Sequence, residues 1–161
     1  MGTKNYVACF GLNDSGQSNV PAEFVSGAKI IDIGASHTCM GKKGKVSCFG
    51  KNNNGQTDVP DEFLSGARII STGFGNTCMK YNGKVVCFGW NGCGQSNVPT
   101  EFENGSILID TAFRHTCMGR KDYVACFGDN VHGHSDVPQQ FLSGAEFIST
   151  GFSHTCMGKK D

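Results

Sequence analysis

Cysteine and histidine are the residues of this chain best equipped for redox, nucleophilic or metal chemistry. Its 161 residues include nine of the first and five of the second. Their spacing decides which chemistry is open to them. Cys39 and Cys48 flank Lys43-Gly44 symmetrically, Cys78 and Cys87 flank Asn82-Gly83, and Cys117 and Cys126 flank Lys121-Asp122. Asn-Gly is the strongest two-residue hairpin signal, because both central residues of a type I′ turn need positive φ. Counted outward from such a turn, the cysteines are the fourth pair. That is a non-hydrogen-bonded site, where opposed side chains approach closely. Disulfides need Cβ atoms about 3.5–4.5 Å apart, so three cross-strand bridges are expected. Each closes a short loop worth about 2–3 kcal/mol in the chain-entropy model. Cys9 and Cys156 remain, one near each end. They face each other in the same way if the last "HTCM" pairs with the first "YVACFG", so a fourth bridge, Cys9–Cys156, is expected to close the chain into a ring. Cys93, in "WNGCGQ", is left as a free thiol.

Other uses of these residues have weaker support. There is no C-x-x-C pair, and two ligands per hairpin do not make a tetrahedral zinc site. His132 and His134 lie close in sequence without a fixed acidic third ligand. His37, His115 and His154 share one repeat position, which Asn76 fills in the second unit. A catalytic or metal-binding histidine does not recur in this way, so backbone hydrogen bonding at a turn is their first expected role and ligand binding their second. No G-x-S-x-G, phosphate-binding loop or H-E-x-x-H occurs, and nothing in the repeat sets a base beside Cys93. The expected protein is not an enzyme and has neither metal nor cofactor.

The elements that position these residues come from an internal repeat. "CFG" starts at Cys9, Cys48, Cys87 and Cys126, and "TCM" is centred on Cys39, Cys78, Cys117 and Cys156. Val-Pro recurs at residues 20, 59, 98 and 137, a period of 39 without insertions. Segments such as "GKVVCFG", "ARIISTG" and "HTCM" read as short strands. The turn-rich "NDSGQSNVPAEFVSG" has room for a brief fourth strand, and no window shows a helical apolar period. Three or four strands cannot bury both faces alone, so neighbouring units must stack. Phe10, Phe49, Phe88 and Phe127, with Phe24, Phe63, Phe102 and Phe141, are the expected packing residues. Residues 1–161 form a single repeat domain, with units at about 9–47, 48–86, 87–125 and 126–161, the last completed by 1–8.

The run "HTCM…GKVSCFGKNNNGQ", followed by "VP" and then "GFGNTC", resembles the repeat of the regulator of chromosome condensation family. That family also includes the propeller-shaped bacterial β-lactamase inhibitor proteins. The carriers are the His-Thr of "HTCM", the aromatic-Gly of "CFG", the Asn of "GxNxxGQ" and the Gly before "xxHT". The resemblance implies an all-β propeller with its terminal strands joined in one blade. Four units do not give the usual seven blades, so the guanine-nucleotide-exchange role is not carried over. A closed four-bladed monomer is the expected form, and an eight-bladed ring of two chains is the alternative. The sequence also departs from its own pattern: His134 stands where the other units have Gln17, Gln56 and Gln95, and Ala112 stands where the second unit has Gly73.

Asn13, Asn52, Asn91 and Asn130 are expected to form Asx-type turns, and Asn19, Asp58, Asn97 and Asp136 to cap them. Repeat-variable turn positions are where a ligand is expected. They offer Phe74, Phe113 and Phe152, with Arg114 beside them and Trp90 after the third "CFG". Exposed aromatics suit sugar faces or protein hot spots. The leading expectation is a multivalent extracellular or secreted lectin, its small equivalent units gaining avidity. The alternative is a protein-interaction or inhibitor module using one asymmetric face that includes His132. Lys and Arg number 14, as do Asp and Glu, so nucleic acid is not an expected partner. No run spans a bilayer, and no signal-peptide h-region is visible. The cysteine content and the Asn13-Asp14-Ser15 and Asn104-Gly105-Ser106 acceptors favour secretion.

Overall fold

Alternating short strands and glycine turns leave each unit with a sheet too small to stand alone, and the computed structural model shows how the units solve this. It describes residues 5–160. The first sheet contains β1 (Ile30–Ile33), β2 (His37–Lys42) and β3 (Lys45–Gly50). The second contains β4 (Ile69–Thr72), β5 (Asn76–Tyr81) and β6 (Lys84–Gly89). The third contains β7 (Leu108–Thr111), β8 (His115–Gly119) and β9 (Val124–Gly128). The fourth has only β10 (Phe147–Thr150) and β11 (Thr155–Gly158) among the described residues. All pairings are antiparallel. β1 packs on β4, β4 on β7 and β7 on β10, so the sheets follow one another as propeller blades do. Among the described residues no helix is long and apolar enough to cross a membrane.

The hairpin count holds in full. Cys39, Cys78 and Cys117 lie opposite Cys48, Cys87 and Cys126, and all three pairs are disulfide-bonded. The Cα atoms in each pair are 4.0–4.1 Å apart, close to the narrow spacing of non-hydrogen-bonded pairs. Asn82 and Gly83 both take positive φ, 48° and 87°, as a type I′ turn requires. At Lys43-Gly44 only the glycine does so, because a Cβ makes that region costly for lysine. Register survives this change of turn, since the cross-strand cysteines and the buried faces fix it independently.

The turn-rich segment does not become a regular fourth strand. Each Val-Pro leads into a one-turn 3-10 helix: Ala22–Phe24, Asp61–Phe63, Thr100–Phe102 and Gln139–Phe141. Proline holds the extended entry at φ near −60°. Only isolated bridges follow, Lys84 with Asn104 and Tyr6 with Ser26. The helix drives its phenylalanine between sheets: Phe63 packs with Cys39, Val46, Ile70 and Met79, and Phe102 with Cys78, Val85, Ile109 and Met118. The other phenylalanine set is less buried than expected. Phe49, Phe88 and Phe127 are half-buried, and Phe10 is 94% exposed.

Ring closure within one chain is where expectation and structure part. Cys9 and Cys156 are free thiols rather than a bridge. Residues 5–7 keep the contacts of their own repeat: the Val7 N–H donates to Val25 O at 2.9 Å, as Val46 does to Leu64 and Val85 to Glu103, and the Gly27 N–H donates to Asn5 O at 3.2 Å, as Gly105 does to Gly83. Both contacts tie the first "YVACFG" to the segment leading into β1, three sheets away in order from β11. β1 and β10 share no packing of the extent seen between neighbouring inner strands. Residues 1–4 of the expected closing segment lie outside the described residues.

Glycine is mandatory where each third strand ends. Gly89 takes φ of 97°, and a Cβ there sits 2.5 Å from Gly75 O and 3.0 Å from the Asn76 Cα. Gly89→Ala is therefore expected to cost about 2–4 kcal/mol from combined overpacking and left-handed strain, read as a lower urea midpoint with an unchanged slope.

Candidate functional site

The aromatic candidates lie in the turns that join each inner strand to the next. The Phe74 N–H donates to Ala112 O at 3.0 Å, and the Ala35 N–H donates to Gly73 O at 3.3 Å. These bonds fix neighbouring turns side by side, which brings residues 39 apart into ring contact. Phe74 meets Phe113 edge-on with centroids 4.7 Å apart, and Phe113 stacks on Phe152 at 4.1 Å. The Trp90 N–H donates to Gly75 O at 2.7 Å, which carries the indole to 6.4 Å from Phe113. The Arg114 guanidinium lies 4.7 Å from the Phe113 centroid and 3.7 Å from an Asp129 carboxylate oxygen. The result is one continuous ridge. Phe74 is 53% and Phe152 66% exposed, while Phe113 and Trp90 are half-buried. Ala35 ends the row on the first sheet. Beside the ridge is a shallow cavity of about 290 Å³ with Ile33, Thr72 and Thr111 on its wall.

The histidine candidates occupy a different place. His37 and His115 are fully buried. His37 Nε2 lies 2.9 Å from Thr77 Oγ1 and His115 Nε2 lies 2.8 Å from Thr155 Oγ1, each on the next sheet. Asn76 replaces histidine by donating from Nδ2 to Thr111 Oγ1 at 2.8 Å. Their partner is thus a side chain across the blade junction, not the turn backbone. The threonine hydroxyl proton is already committed: Thr77 donates to Gln56 O and Thr155 to His134 O, both at 2.7 Å. Each histidine must therefore donate from Nε2–H, which fixes a neutral tautomer. His154 is exposed because no sheet follows β11 among the described residues. The ridge and the histidine layer do not form one site.

Burial lowers the pKa of His37 to about 4, and burial with nearby His134 lowers His115 similarly. The unfolded chain has both near 6.5. As pH falls from about 6.5 to 4, the unfolded state takes up protons that the native state refuses, so native stability declines. Above that window these groups have no effect. Asp110 acts oppositely, since burial raises its carboxyl. Urea midpoints are expected to fall between pH 6.5 and 4, and His37→Asn, which copies Asn76, is expected to flatten that slope.

The invariant asparagines staple their loops. Asn52 Nδ2 donates to Asp58 Oδ1 at 2.7 Å, and the Thr57 N–H donates to Asn52 Oδ1 at 2.9 Å. The other three units repeat both bonds. The reach is five and six residues, wider than a local Asx turn. Cys93 is a half-buried free thiol in one such loop. His132 and His134 rings stand 6.2 Å apart. Among the described residues, no group of three or more His, Cys, Asp and Glu is placed to hold a metal ion.

No family model matches the chain, and no curated protein matches it. Solved structures do. Yeast RCC1 (Prp20), from a structure bound to Kap60, superposes with TM-score 0.68 at 16% identity, over 88% of this chain and 43% of that one. The CRINKLY WD40 ectodomain of the Arabidopsis thaliana receptor kinase ACR4 gives 0.63 at 17% identity, over 81% and 46%. Human WBSCR16 gives 0.65 at 14%, over 91% and 53%. The fold is that of an all-β propeller. This chain spans about half the length of the structures it matches.

Proposed function

We propose that the chain is a non-catalytic recognition module that binds a partner protein through the ridge of Phe74, Phe113 and Phe152, flanked by Trp90 and Arg114. The observation that carries this reading is the continuity of the ridge. Four equivalent glycan sites call for separate, repeated pockets, whereas these rings contact one another and stop at Ala35. Phe113 also has little free face for a sugar, since Phe152 stacks on it and Arg114 lies over it. Clustered aromatics with an arginine match the composition of protein hot spots. In structures that share the fold, yeast RCC1 is bound to Kap60, and Prp20p has binding properties toward Gsp1p and histones. The three disulfides support an extracellular or otherwise oxidising setting.

The test pairs a glycan array with photo-crosslinking from position 74 in the host's extracellular protein fraction. The protein reading expects a flat array and one discrete crosslinked protein. Against that protein, Phe113→Ala should weaken affinity by about 30-fold or more without moving the thermal midpoint by more than a few degrees. Saturable glycan binding that survives Phe113→Ala overturns it.

A further inference from the structure

Among the described residues the fourth sheet has no third strand, and beside it lies a groove of about 510 Å³ whose walls include His134, Phe141, Ser153, His154 and Cys156. The repeat identifies what fits there. In the complete sheets, the glycine ending the third strand sits against a fixed set of neighbours. These are Ser36, His37 and Gln17 for Gly50, Gly75, Asn76 and Gln56 for Gly89, and Arg114, His115 and Gln95 for Gly128. One period further on, the same set is Ser153, His154 and His134, the wall of the groove. The missing piece is a strand ending in such a glycine. This chain carries one, Tyr6–Gly11, which has no "TCM" partner of its own among the described residues. Its end is already shaped: Gly11 has φ of 111°, against 109°, 97° and 110° at Gly50, Gly89 and Gly128. Phe10 is more open than a finished blade leaves its counterparts, and Cys156 is exposed where Cys39, Cys78 and Cys117 are fully buried.

We propose that this groove is the docking site for residues 6–11 of a second copy of the chain, and that two copies exchange these strands to form a closed ring. Cys9 and Cys156 stay unpaired and β1 does not pack on β10 as neighbouring inner strands pack, so one chain does not fill its own groove, while the donor strand already makes the bond to Val25 that every third strand makes to its own repeat. Two-fold exchange fills both grooves and gives each fourth sheet its third strand. Extending the third hairpin's register places Cys9 opposite Cys156, Ala8 opposite Met157 and Phe10 opposite Thr155. His154 then gains the second copy's Thr38, as His115 has Thr155. In the presence of a small-molecule disulfide such as oxidised glutathione, the two thiols exchange with it. The Cys9–Cys156 S–S bond forms, the donor S–S bond breaks, and two glutathione thiols leave with the two protons.

The experiment mixes unlabelled and ¹⁵N-labelled 161-residue chain, unfolds and refolds the mixture with oxidised and reduced glutathione, and measures mass by light scattering and peptides by non-reducing digestion. The expected species has twice the chain mass, and half of its Cys9–Cys156 peptide pairs join a light to a heavy chain. Ala8→Pro, which removes one ladder donor from a strand that is exposed in the single chain, should convert the dimer to monomer with the three internal disulfides intact. A monomer, whether its Cys9–Cys156 pairs are all of one isotope or its two thiols stay free, overturns the proposal. So does a series of higher multiples, which marks an open filament.

Discussion

Reducing the three hairpin disulfides is expected to lower the unfolding free energy by about 8 kcal/mol, the sum of three loops at about 2.7 kcal/mol each in the chain-entropy model. A domain of this kind is stable by only about 5–15 kcal/mol, so the reduced chain should lose its cooperative urea transition or show it near zero denaturant. Each bridge closes a separation of nine residues, and the three loops do not overlap, which is the condition for near-additivity. The structure adds a kinetic side. Cys39, Cys78 and Cys117 are fully buried and Cys48, Cys87 and Cys126 half-buried, so dithiothreitol meets only one partly shielded sulfur of each bridge. Reduction in native buffer should be slow, and should accelerate with urea well below the transition. The Cys78→Ala/Cys87→Ala double variant isolates one loop and should cost about 2–3 kcal/mol. An unchanged midpoint after complete reduction, verified by mass, would sink the account and leave inter-sheet packing as the sole support.

Those disulfides were legible in the sequence because a hairpin's side-chain period is exact: two equal arms about Asn82-Gly83 leave Cys78 and Cys87 only one pairing. The repeat likewise announced stacking, since one unit cannot bury its own faces. What was not legible depends on the angle between units, which no local pattern encodes. Cys9 and Cys156 fit a hairpin by register, yet the stack carries them to opposite ends. The histidine layer is not legible for a related reason. His37 and Thr77 are forty residues apart, and only the blade junction shows that each histidine answers a threonine of the next unit. Asn76 was the available clue, since its amide can donate as an imidazole does. The ridge was half legible. The aromatic positions stood out as repeat-variable, but their contact with one another requires the turn-to-turn bond from Phe74 to Ala112. Trp90 joins it only through its backbone bond to Gly75.

The blade junction itself can be weighed with one repeat position. Phe102 has no exposed surface and is clasped between the second and third sheets; Phe102→Ala is expected to cost about 3–5 kcal/mol, lost transfer energy plus the cavity left behind. The wall around it is partly disulfide and partly methionine. Cys78 is pinned by its bridge and cannot follow the receding surface, whereas Met118 has the torsional freedom to move in. Partial collapse of that kind keeps the cost below the upper end. Phe141 occupies the same position on the fourth sheet but is only half-buried, because it borders the open groove. In a Cys9→Ser/Cys156→Ser background held at low concentration, Phe141→Ala should therefore cost about half as much, since burial scales the transfer term. The same substitution becomes a gauge of assembly. When a second copy's strand covers the groove, Phe141 acquires the surroundings of Phe102, and the two costs should converge. Equal costs in the isolated chain would mean that the fourth sheet is already covered from within, and the open groove would then be wrong. Urea midpoints of the two variants, read against protein concentration, separate these outcomes.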